Sequence, residues 1–306
     1  MHFRAVLNEE GGTLRTTDLD ALSSRMRETL NAAGHELEIE VTKGSKVVDT
    51  LAKAASARSV DVVLAGGGDG TISAAAAALM GKRKALAVLP AGTMNLFARS
   101  LGVPLALDEA VSAFADGEMR NVDIATANGR PFVHQFSIGF HAKMVKLRSK
   151  MEYASRLGKI RASAKAAYST FMNPPSMDVR LTIGDAELET RTTGIGITNN
   201  LFGEGHLPYA DRPDGGVLGV YVTVAEQRGE LARFVLNMAR GRWRDNEQVE
   251  IHQAGKVTLE LLSRRKKRDC VIDGELCAME RKTVVEIHPG ALRVLAPRSQ
   301  VEAEAA

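Results

Sequence analysis

A glycine-rich segment containing one acid, GGGDGT at residues 66–71, is the part of the sequence best suited to chemistry. An apolar run precedes it and an alanine-rich run follows it, so it lies where a strand should end and a helix begin. Amides at a helix N-terminus bind phosphate, and glycines let a ligand approach the backbone closely. Asp69 would repel a phosphate unless a divalent cation lies between them or the carboxylate binds a sugar hydroxyl. The segment therefore predicts a site for a magnesium-bound nucleotide.

Other glycine motifs do not fit this segment. The chain contains no G-x-x-x-x-G-K-[ST] phosphate loop, and the dinucleotide fingerprint would place its third glycine elsewhere and no acid in the loop. A plain Asp-Gly hairpin turn would be followed by a second strand, whereas the alanine-rich run predicts a helix.

The composition sets broad limits on the class of protein. The chain has 306 residues, 44% of them hydrophobic, which is enough for about two domains with cores of their own. A net charge of +3 does not by itself indicate a nucleic-acid-binding protein. No apolar run approaches the roughly 18 residues that span a bilayer, and the first residues lack the apolar core of a signal peptide. We therefore expect a cytoplasmic protein that can contact a membrane at its surface.

The two cysteines, Cys270 and Cys277, are predicted to be small apolar residues in strands. Their spacing matches no zinc motif, and no histidine pair accompanies them. The seven histidines are scattered without the spacing of a metal site.

The first ~120 residues alternate strand and helix patterns, which predicts parallel strands joined by helices. Residues 18–34 have apolar side chains at helical spacing, with Asp18 as the N-cap and Gly34 as the stop. Residues 45–57 have the pattern of a second helix, capped by Ser45. The strand candidates are residues 3–7, 37–41, 60–65 and 85–90. The pattern is typical of a doubly wound α/β nucleotide-binding domain.

Beyond about residue 125 the pattern changes to short strands. Residues 176–191 alternate apolar and polar side chains around a Gly-Asp pair, which predicts a hairpin. Helices are expected at the basic stretch 146–171 and at residues 229–240. We therefore predict a second domain that is an antiparallel β-sandwich. The domain bounds are 1–125 and 126–306 with a hinge near 120–128, and a return of the last residues to the first domain is left open.

Several motifs together resemble the catalytic domain of the diacylglycerol kinase family, which includes soluble bacterial lipid kinases and the sphingosine and ceramide kinases. GGDGT at 67–71 is followed by PAGTMNLFARSLGVP at 90–104, in the family's order. Further matches are LNEEGG at 7–12, VTKGSKVVDTLAKAA at 41–55, NVDIATANGRPFVHQFSIGF at 121–140, NNLFGEGHLPYADRPDGGVLGVYV at 199–222 and VIDGEL at 271–276. The first of these carries Glu9 where the family usually has proline. The resemblance covers nearly the whole chain.

NAD kinases and phosphofructokinases share the GGDG loop, but the GT-x-N motif of Gly92, Thr93 and Asn95 is more similar to the lipid kinases. The resemblance implies that one set of residues surrounds the nucleotide: Asn8, Gly11, Gly12, Thr42, Gly67, Gly68, Asp69, Gly70, Thr71, Ser73, Gly92, Thr93 and Asn95. Taken alone, Asn95 is also typical of a helix N-cap, and both roles can hold at once.

The residues DGE at 273–275 allow two interpretations. By local rules, Asp273-Gly274 is a hairpin turn. The resemblance implies instead that Glu275 accepts the proton of a lipid hydroxyl. Asp273 is then the competing candidate, as the base or as a group behind the metal ligands.

The same resemblance implies two magnesium sites. Asp123 would join Asp69 in a water-mediated network around Mg²⁺-ATP, and a solvated acid at a strand end is the alternative for Asp123. A structural Mg²⁺ would use the side chain of Asp214 and the carbonyls of Asp211 and Gly216. The alternative for that segment is an Asp-Gly turn.

Two basic stretches, residues 263–269 and 146–165, predict contact with anionic lipid headgroups, although solvated charged surface is the alternative. The expected partners are a lipid substrate and an anionic membrane, with no nucleic acid. A homodimer is left open.

These observations predict an ATP- and Mg²⁺-dependent lipid kinase that phosphorylates a hydroxyl of diacylglycerol or a similar lipid. One alternative is an NAD kinase, which would make NADP⁺ from NAD⁺. Another is a catalytically silent lipid- or nucleotide-binding regulator, which the presence of Asp69, Asp273 and Glu275 disfavours.

Overall fold

The computed structural model describes residues 1–149, 165, 168–225, 228–242, 246–263 and 268–298. The chain divides into two compact units. The first unit contains Met1–Ile124, Arg212–Asp214 and the described residues from His288 onwards; the second contains the described residues of Ala125–Asp211 and Gly215–Ile287. Within the described residues, no helix is both long and apolar enough to cross a membrane.

The first unit alternates strands and helices. Its strands are β1 (His2–Asn8), β2 (Glu36–Thr42), β3 (Val62–Gly67) and β4 (Ala85–Pro90), and its helices are α1 (Leu19–Ala32), α2 (Val47–Ser56), α3 (Asp69–Leu79), α4 (Leu96–Ser100) and α5 (Leu107–Ala115). Short 3₁₀ turns form at Gly12–Thr16 and Gly44–Lys46. The strands pair in the order β2-β1-β3-β4, all parallel. The predicted α/β class is confirmed.

Burial explains why these segments form a parallel sheet. Every residue of β3 and of β4 is buried, as expected for strands covered by helices on both faces. The Asp18 prediction is confirmed, because its carboxylate accepts N–H bonds from Asp20 and Ala21 at the start of α1. Gly34 has φ = 75° just after that helix, which is typical of a helix stop.

The prediction that Ser45 caps α2 is wrong. The 3₁₀ turn Gly44–Lys46 precedes the helix, which begins at Val47 with Lys46 in the N-cap position and no side-chain cap hydrogen bond. The tight turn uses the residues that would otherwise form the cap.

The second unit is built from antiparallel strands. Two long strands contribute residues to both units, β5 (Glu118–Ala127) and β16 (Lys282–Ala296). The remaining strands are β6 (Arg130–Phe132), β7 (Gln135–Gly139), β8 (Met177–Ile183), β9 (Ala186–Thr192), β10 (Gly194–Asn199), β11 (Leu218–Thr223), β12 (Val249–Ala254), β13 (Lys256–Leu261), β14 (Asp269–Ile272) and β15 (Glu275–Ala278). The helices with bounds are α6 (Phe140–Ser149) and α7 (Arg228–Ala239).

These strands form two layers with an apolar core between them. One layer pairs β16-β13-β8-β9, and the other pairs β12-β11-β10-β7-β14-β15. A single cluster of buried side chains joins the layers, with Val179 and Leu259 from the first and Phe136, Ile197 and Val220 from the second. The predicted β-sandwich is therefore confirmed, as is the hairpin around Gly184-Asp185 between β8 and β9.

The cysteines lie in strands, as predicted. Cys270 in β14 pairs directly with Cys277 in β15, and burial raises the pKa of the Cys270 thiol to about 11, with Cys277 as a smaller cause. The two basic stretches lie largely outside the described residues, so the structure describes only their ends.

Candidate active site

Loops that follow β1, β2, β3 and β4 gather the predicted nucleotide residues at one edge of the first unit. Because the strands are parallel, their carboxyl ends meet at the same edge, where α/β sheets bind ligands. Asn8 and Thr42 are register partners at the ends of β1 and β2, and Gly67 pairs with Pro90 at the ends of β3 and β4. The structure therefore brings these segments together.

Side chains and backbone groups tie the loops to one another. The Asn8 Nδ2 atom donates to Thr71 Oγ1 at 3.1 Å. The buried Thr71 hydroxyl therefore holds the loop after β1 against the start of α3. The carboxylate of Glu10 accepts the Gly44 N–H at 3.0 Å, and the Thr13 N–H donates to the Ala91 carbonyl at 2.8 Å. The hydrogen bond of Glu10 was not anticipated from the sequence, since nothing in LNEEGG indicates a partner 34 residues away.

Most glycines of these loops are required by close packing inside the protein. Gly12 has φ = 45°, and a Cβ there would overlap the carbonyl of Ala91. A Cβ on Gly92 would lie 2.7 Å from Asn95 Oδ1 and 2.9 Å from the Gly68 Cα. A Cβ on Gly67 would lie 2.5 Å from Thr71 Oγ1. These glycines let the loops approach each other.

Gly68 is different, because nothing inside the protein requires a glycine there. Its φ is −85°, and the nearest atom to an added Cβ would be the Gly92 Cα at 3.6 Å, an ordinary contact. The space beside its backbone is therefore open, as a ligand that touches the chain would need.

The N-terminus of α3 presents free donors next to that space. Gly68 is its N-cap and makes no side-chain cap hydrogen bond. The N–H groups of Thr71 and Ile72 donate to the Gly68 carbonyl, whereas those of Asp69 and Gly70 have no acceptor among the described residues. Unpaired amides at the positive end of a helix, here one of 11 residues, are groups that can bind an anion.

The Asp69 side chain points to a neighbouring loop. Its Oδ2 accepts the Asn95 N–H at 3.2 Å and its Oδ1 accepts the Leu96 N–H at 2.9 Å, which caps α4. Each oxygen keeps a further lone pair, so the carboxylate can still accept from a bound water. Asp69 therefore fixes the GT-x-N loop to the GGDG loop.

Asn95 lies at the N-cap position of α4, as one of its two interpretations predicts, but it does not act as the cap. Its side chain instead accepts the Gly92 N–H at 2.7 Å and donates to the Gly92 carbonyl at 3.1 Å, while its backbone has φ = 50°. The interpretation as a capping side chain is wrong, because Asp69 supplies the cap and Asn95 closes its own loop. Thr93 is exposed beside it.

Asp123 is 2% exposed, so the alternative of a solvated strand-end acid is wrong. Its Oδ1 accepts the Gly290 N–H at 2.9 Å, and its own N–H donates to the Pro213 carbonyl at 2.8 Å. Asp123, in β5, therefore connects two other segments of the first unit, the one at Pro213 and the one at Gly290.

The predicted structural magnesium residues Asp211, Asp214 and Gly216 lie in one segment, and the magnesium site there stays a prediction. Within the described parts of the chain, no group of three His, Cys, Asp or Glu side chains could hold a metal ion. The Asp211 carboxylate binds His206 Nε2 at 2.8 Å, Asp214 is exposed, and Gly216 has φ = 72° as in a turn.

Within the DGE segment of the second unit, Asp273 and Gly274 form a two-residue hairpin turn between β14 and β15. Asp273 and Gly274 both have positive φ, 45° and 85°. The buried Asp273 carboxylate accepts three backbone N–H bonds, from Val133, His134 and Gln135, at 2.9–3.0 Å. These three hydrogen bonds show that Asp273 shapes the turn that precedes Glu275.

Glu275 is the accessible acid of this turn. It is exposed, and its Oε2 accepts a hydrogen bond from Arg130 Nη2 at 2.7 Å. Arg130 was not predicted from the sequence, although the Asn-Gly pair just before it is a strong hairpin signal that could have placed it at a turn.

Comparison with known proteins agrees with this architecture. The diacylglycerol kinase catalytic domain matches residues 2–127, and the YegS C-terminal NAD kinase beta sandwich-like domain matches residues 135–296. A probable lipid kinase YegS-like protein of Pseudomonas aeruginosa is 30% identical over 271 residues, covering 87% of this chain and 86% of that protein. A diacylglycerol kinase of Staphylococcus saprophyticus is 25% identical, covering 75% and 76%.

A solved structure has the same fold. The crystal structure of a diacylglycerol kinase from Bacillus anthracis superposes with a TM-score of 0.73 at 20% identity, covering 96% of each chain. The two domain matches, their order and a relative that is 30% identical over 87% of this chain lead to one conclusion: this chain belongs to the diacylglycerol kinase-like family of lipid kinases.

Proposed function

We propose that this lipid kinase transfers the γ-phosphate of ATP to a hydroxyl of diacylglycerol or a similar lipid. The observation that carries the nucleotide half of the proposal is the open space beside Gly68, bordered by the unpaired amides of Asp69 and Gly70. Phosphoryl transfer depends mainly on positioning and charge stabilisation, and backbone amides at a helix N-terminus supply both.

The nucleotide would be bound by the first unit. In this proposal the amides of Asp69 and Gly70 bind phosphate oxygens, and the exposed Thr93 hydroxyl and the loop at Asn8–Gly12 border the same edge. The buried Thr71 acts indirectly, because its hydroxyl already binds Asn8. The chemistry of these groups suits a phosphate ligand without a strongly basic pocket.

Mg²⁺ fits this edge as a hydrated ion. Asp69 would hold it through water, because both of its carboxylate oxygens already accept backbone N–H bonds. When bound, the ion would neutralise part of the phosphate charge. The buried Asp123 would stabilise the same part of the unit.

Glu275 is the proposed proton acceptor. As the lipid oxygen bonds to the γ-phosphorus, the hydroxyl proton passes to the Glu275 carboxylate. The bond from that phosphorus to ADP breaks, and its electron pair leaves with ADP. Asp273 keeps the turn that presents Glu275 in place. In this proposal the second unit supplies the group that accepts the proton.

A panel of hydroxylated lipids with radiolabelled ATP and Mg²⁺ tests the proposal. We expect labelled phospholipid from diacylglycerol or a related lipid in mixed micelles, and no labelled product from NAD⁺. Formation of NADP⁺ would support the NAD kinase alternative, and the absence of any phosphorylated product would support the silent regulator. The lipid kinase names of the full-length relatives favour the first outcome.

We also propose that the enzyme contacts anionic membranes through its basic stretches. Flotation of the full chain on vesicles with and without phosphatidylglycerol measures this. Equal binding to both kinds of vesicle would contradict it.

A further inference from the structure

Two hairpins of the second unit carry opposite charges at equivalent positions. One turns at Asn128-Gly129 and continues into Arg130, and the other turns at Asp273-Gly274 and continues into Glu275. The central residues have φ of 47° and 78° in the first turn and 45° and 85° in the second, as in type I′ turns. Each charged residue is therefore the first strand residue after a tight, well-defined turn.

The Arg130 guanidinium makes two contacts with the second hairpin. Its Nη2 donates to Glu275 Oε2 at 2.7 Å, and its Nη1 donates to Cys277 Sγ at 2.8 Å. Glu275 and Cys277 are two residues apart on β15 and share one face of the strand. A planar group held at two points orients the carboxylate it binds. Within the described part of the chain, Glu275 Oε1 accepts no hydrogen bond.

Both hairpins are fixed at their turns by hydrogen bonds to backbone groups. Asn128 exchanges hydrogen bonds with the Val284 backbone, its side-chain oxygen accepting the N–H at 2.7 Å and its own N–H donating to the carbonyl at 2.8 Å. Asp273 binds the N–H groups of residues 133–135, just after the strand that carries Arg130. The separation of Arg130 from Glu275 is therefore set by the fold and not only by their mutual attraction.

This ion pair is too exposed to matter much for folding. The side chains are 48% and 60% exposed, and pairs of this kind contribute little to stability. Its clearest physical effect is orientation: it engages one carboxylate oxygen and leaves the other open.

We infer that Arg130 is a positioning residue for Glu275. Arg130 holds the carboxylate through Oε2, so that Oε1 faces outward to accept the proton of the lipid hydroxyl. The inference rests on the proposed function, in which Glu275 is the proton acceptor. It adds a residue that touches neither nucleotide nor lipid but sets the rate of proton transfer through Glu275.

The first experiment compares Arg130→Met and Arg130→Lys with the control Arg281→Met. Arg281 forms an ion pair with Glu260 at 3.2 Å in the same unit, and no hydrogen bond or ion pair links Arg281 to Glu275 in the described part of the chain. We expect Arg130→Met to lower kcat by about 10- to 100-fold with an unchanged KM for ATP, because misplacing a reacting group slows the chemical step. Arg130→Lys should recover part of that loss, since it keeps the charge but not the second contact. Arg281→Met should match the wild type.

The second experiment separates positioning from a purely structural role. In a Glu275→Gln background, Arg130→Met should cause no further loss of the residual single-turnover rate, because Arg130 acts through Glu275. The unfolding midpoints of Arg130→Met and Arg281→Met should agree.

The outcomes distinguish an error about Arg130 from an error about Glu275. A kcat of Arg130→Met within twofold of Arg281→Met, or an undiminished effect in the Glu275→Gln background, overturns this inference alone. Wild-type turnover of Glu275→Gln overturns the assignment of the proton acceptor, and the inference falls with it.

Discussion

The GGDG loop of the first unit and the DGE hairpin of the second use their aspartates alike but present opposite chemistry. Asp69 accepts two backbone N–H bonds and Asp273 accepts three, so each acid organises the loop around it. What remains open differs. The first loop leaves the amide donors of Asp69 and Gly70, and the second leaves an acceptor, the Glu275 carboxylate.

This difference shows how to separate an organising acid from a reactive one. A carboxylate whose oxygens accept several backbone N–H bonds holds the loop around it in place. The group left open differs between the units: it is a pair of amides in the first, and in the second it is Glu275, the proposed proton acceptor.

Glu275→Gln should cause the largest loss of activity. Removing a proton acceptor lowers kcat by about 100- to 10,000-fold, while the Kd for ATP should stay the same because the proposed nucleotide site lies in the first unit. Labelled-ATP turnover and nucleotide titration measure the two quantities. Glu280→Gln, an exposed glutamate just beyond β15, is the control and should keep full activity.

Gly68→Ala should weaken nucleotide binding without unfolding the protein. The added methyl group meets only one atom of the protein, at 3.6 Å, but occupies the space beside the free amides. We expect the Kd for ATP to rise about tenfold, which corresponds to ~1.4 kcal/mol. Titration with ATP and a thermal melt test this.

Two other glycine substitutions serve as controls for Gly68→Ala. Gly255→Ala also places its methyl group in open space, and should change neither stability nor affinity. Gly12→Ala combines φ = 45° with an overlap with Ala91, and should destabilise the fold itself. Unchanged ATP affinity of Gly68→Ala would contradict the phosphate site.

Replacing Asp273 should lower the free energy of unfolding more than replacing Asp69, because Asp273 is the more deeply buried of the two. Asp273→Ala leaves three buried or half-buried N–H groups without an acceptor, which costs about 1–3 kcal/mol of unfolding free energy. Asp69→Ala removes a helix cap, which costs about 1 kcal/mol. Chemical denaturation measures both. A larger loss for Asp69→Ala would contradict the assigned roles.

The smallest expected effect concerns the thiols of the hairpin that presents Glu275. The Cys270 side chain is buried, and its pKa is raised from an ordinary value of 9.0 to about 11. At pH 8, iodoacetamide should therefore modify the half-buried Cys277 and leave Cys270 intact, as peptide mass spectrometry would show.

The same pKa shift has a defined sign for stability. The folded state keeps a proton that the unfolded chain releases above pH 9, so this contribution is present below pH 9 and is lost as the pH rises through about 11. Cys270→Ala should reduce the decline in unfolding free energy over that range. An equal decline in both proteins would contradict it.

Local signals predicted much of the framework. The Asp18 cap, the hairpin at Gly184-Asp185 and the helix now bounded as Arg228–Ala239 depend on neighbours in sequence, and all three are confirmed. The prediction that Ser45 caps α2 is wrong because a 3₁₀ turn forms at the same residues and excludes the capping geometry. The Asn95 side chain does not cap α4, because the Asp69 carboxylate, 26 residues away, accepts the N–H groups at the start of that helix.

By itself the sequence determined the fold class, the family and the identity of the loops, because strand and helix periods, glycines and acids are local properties of the chain. Only the tertiary structure decided which acids are engaged. Asp69 meets Asn95, Asp273 meets residues 133–135, and Glu275 meets Arg130 across 145 residues. Such contacts depend on how strands and hairpins pack, and no spacing along the chain encodes which oxygen is left open.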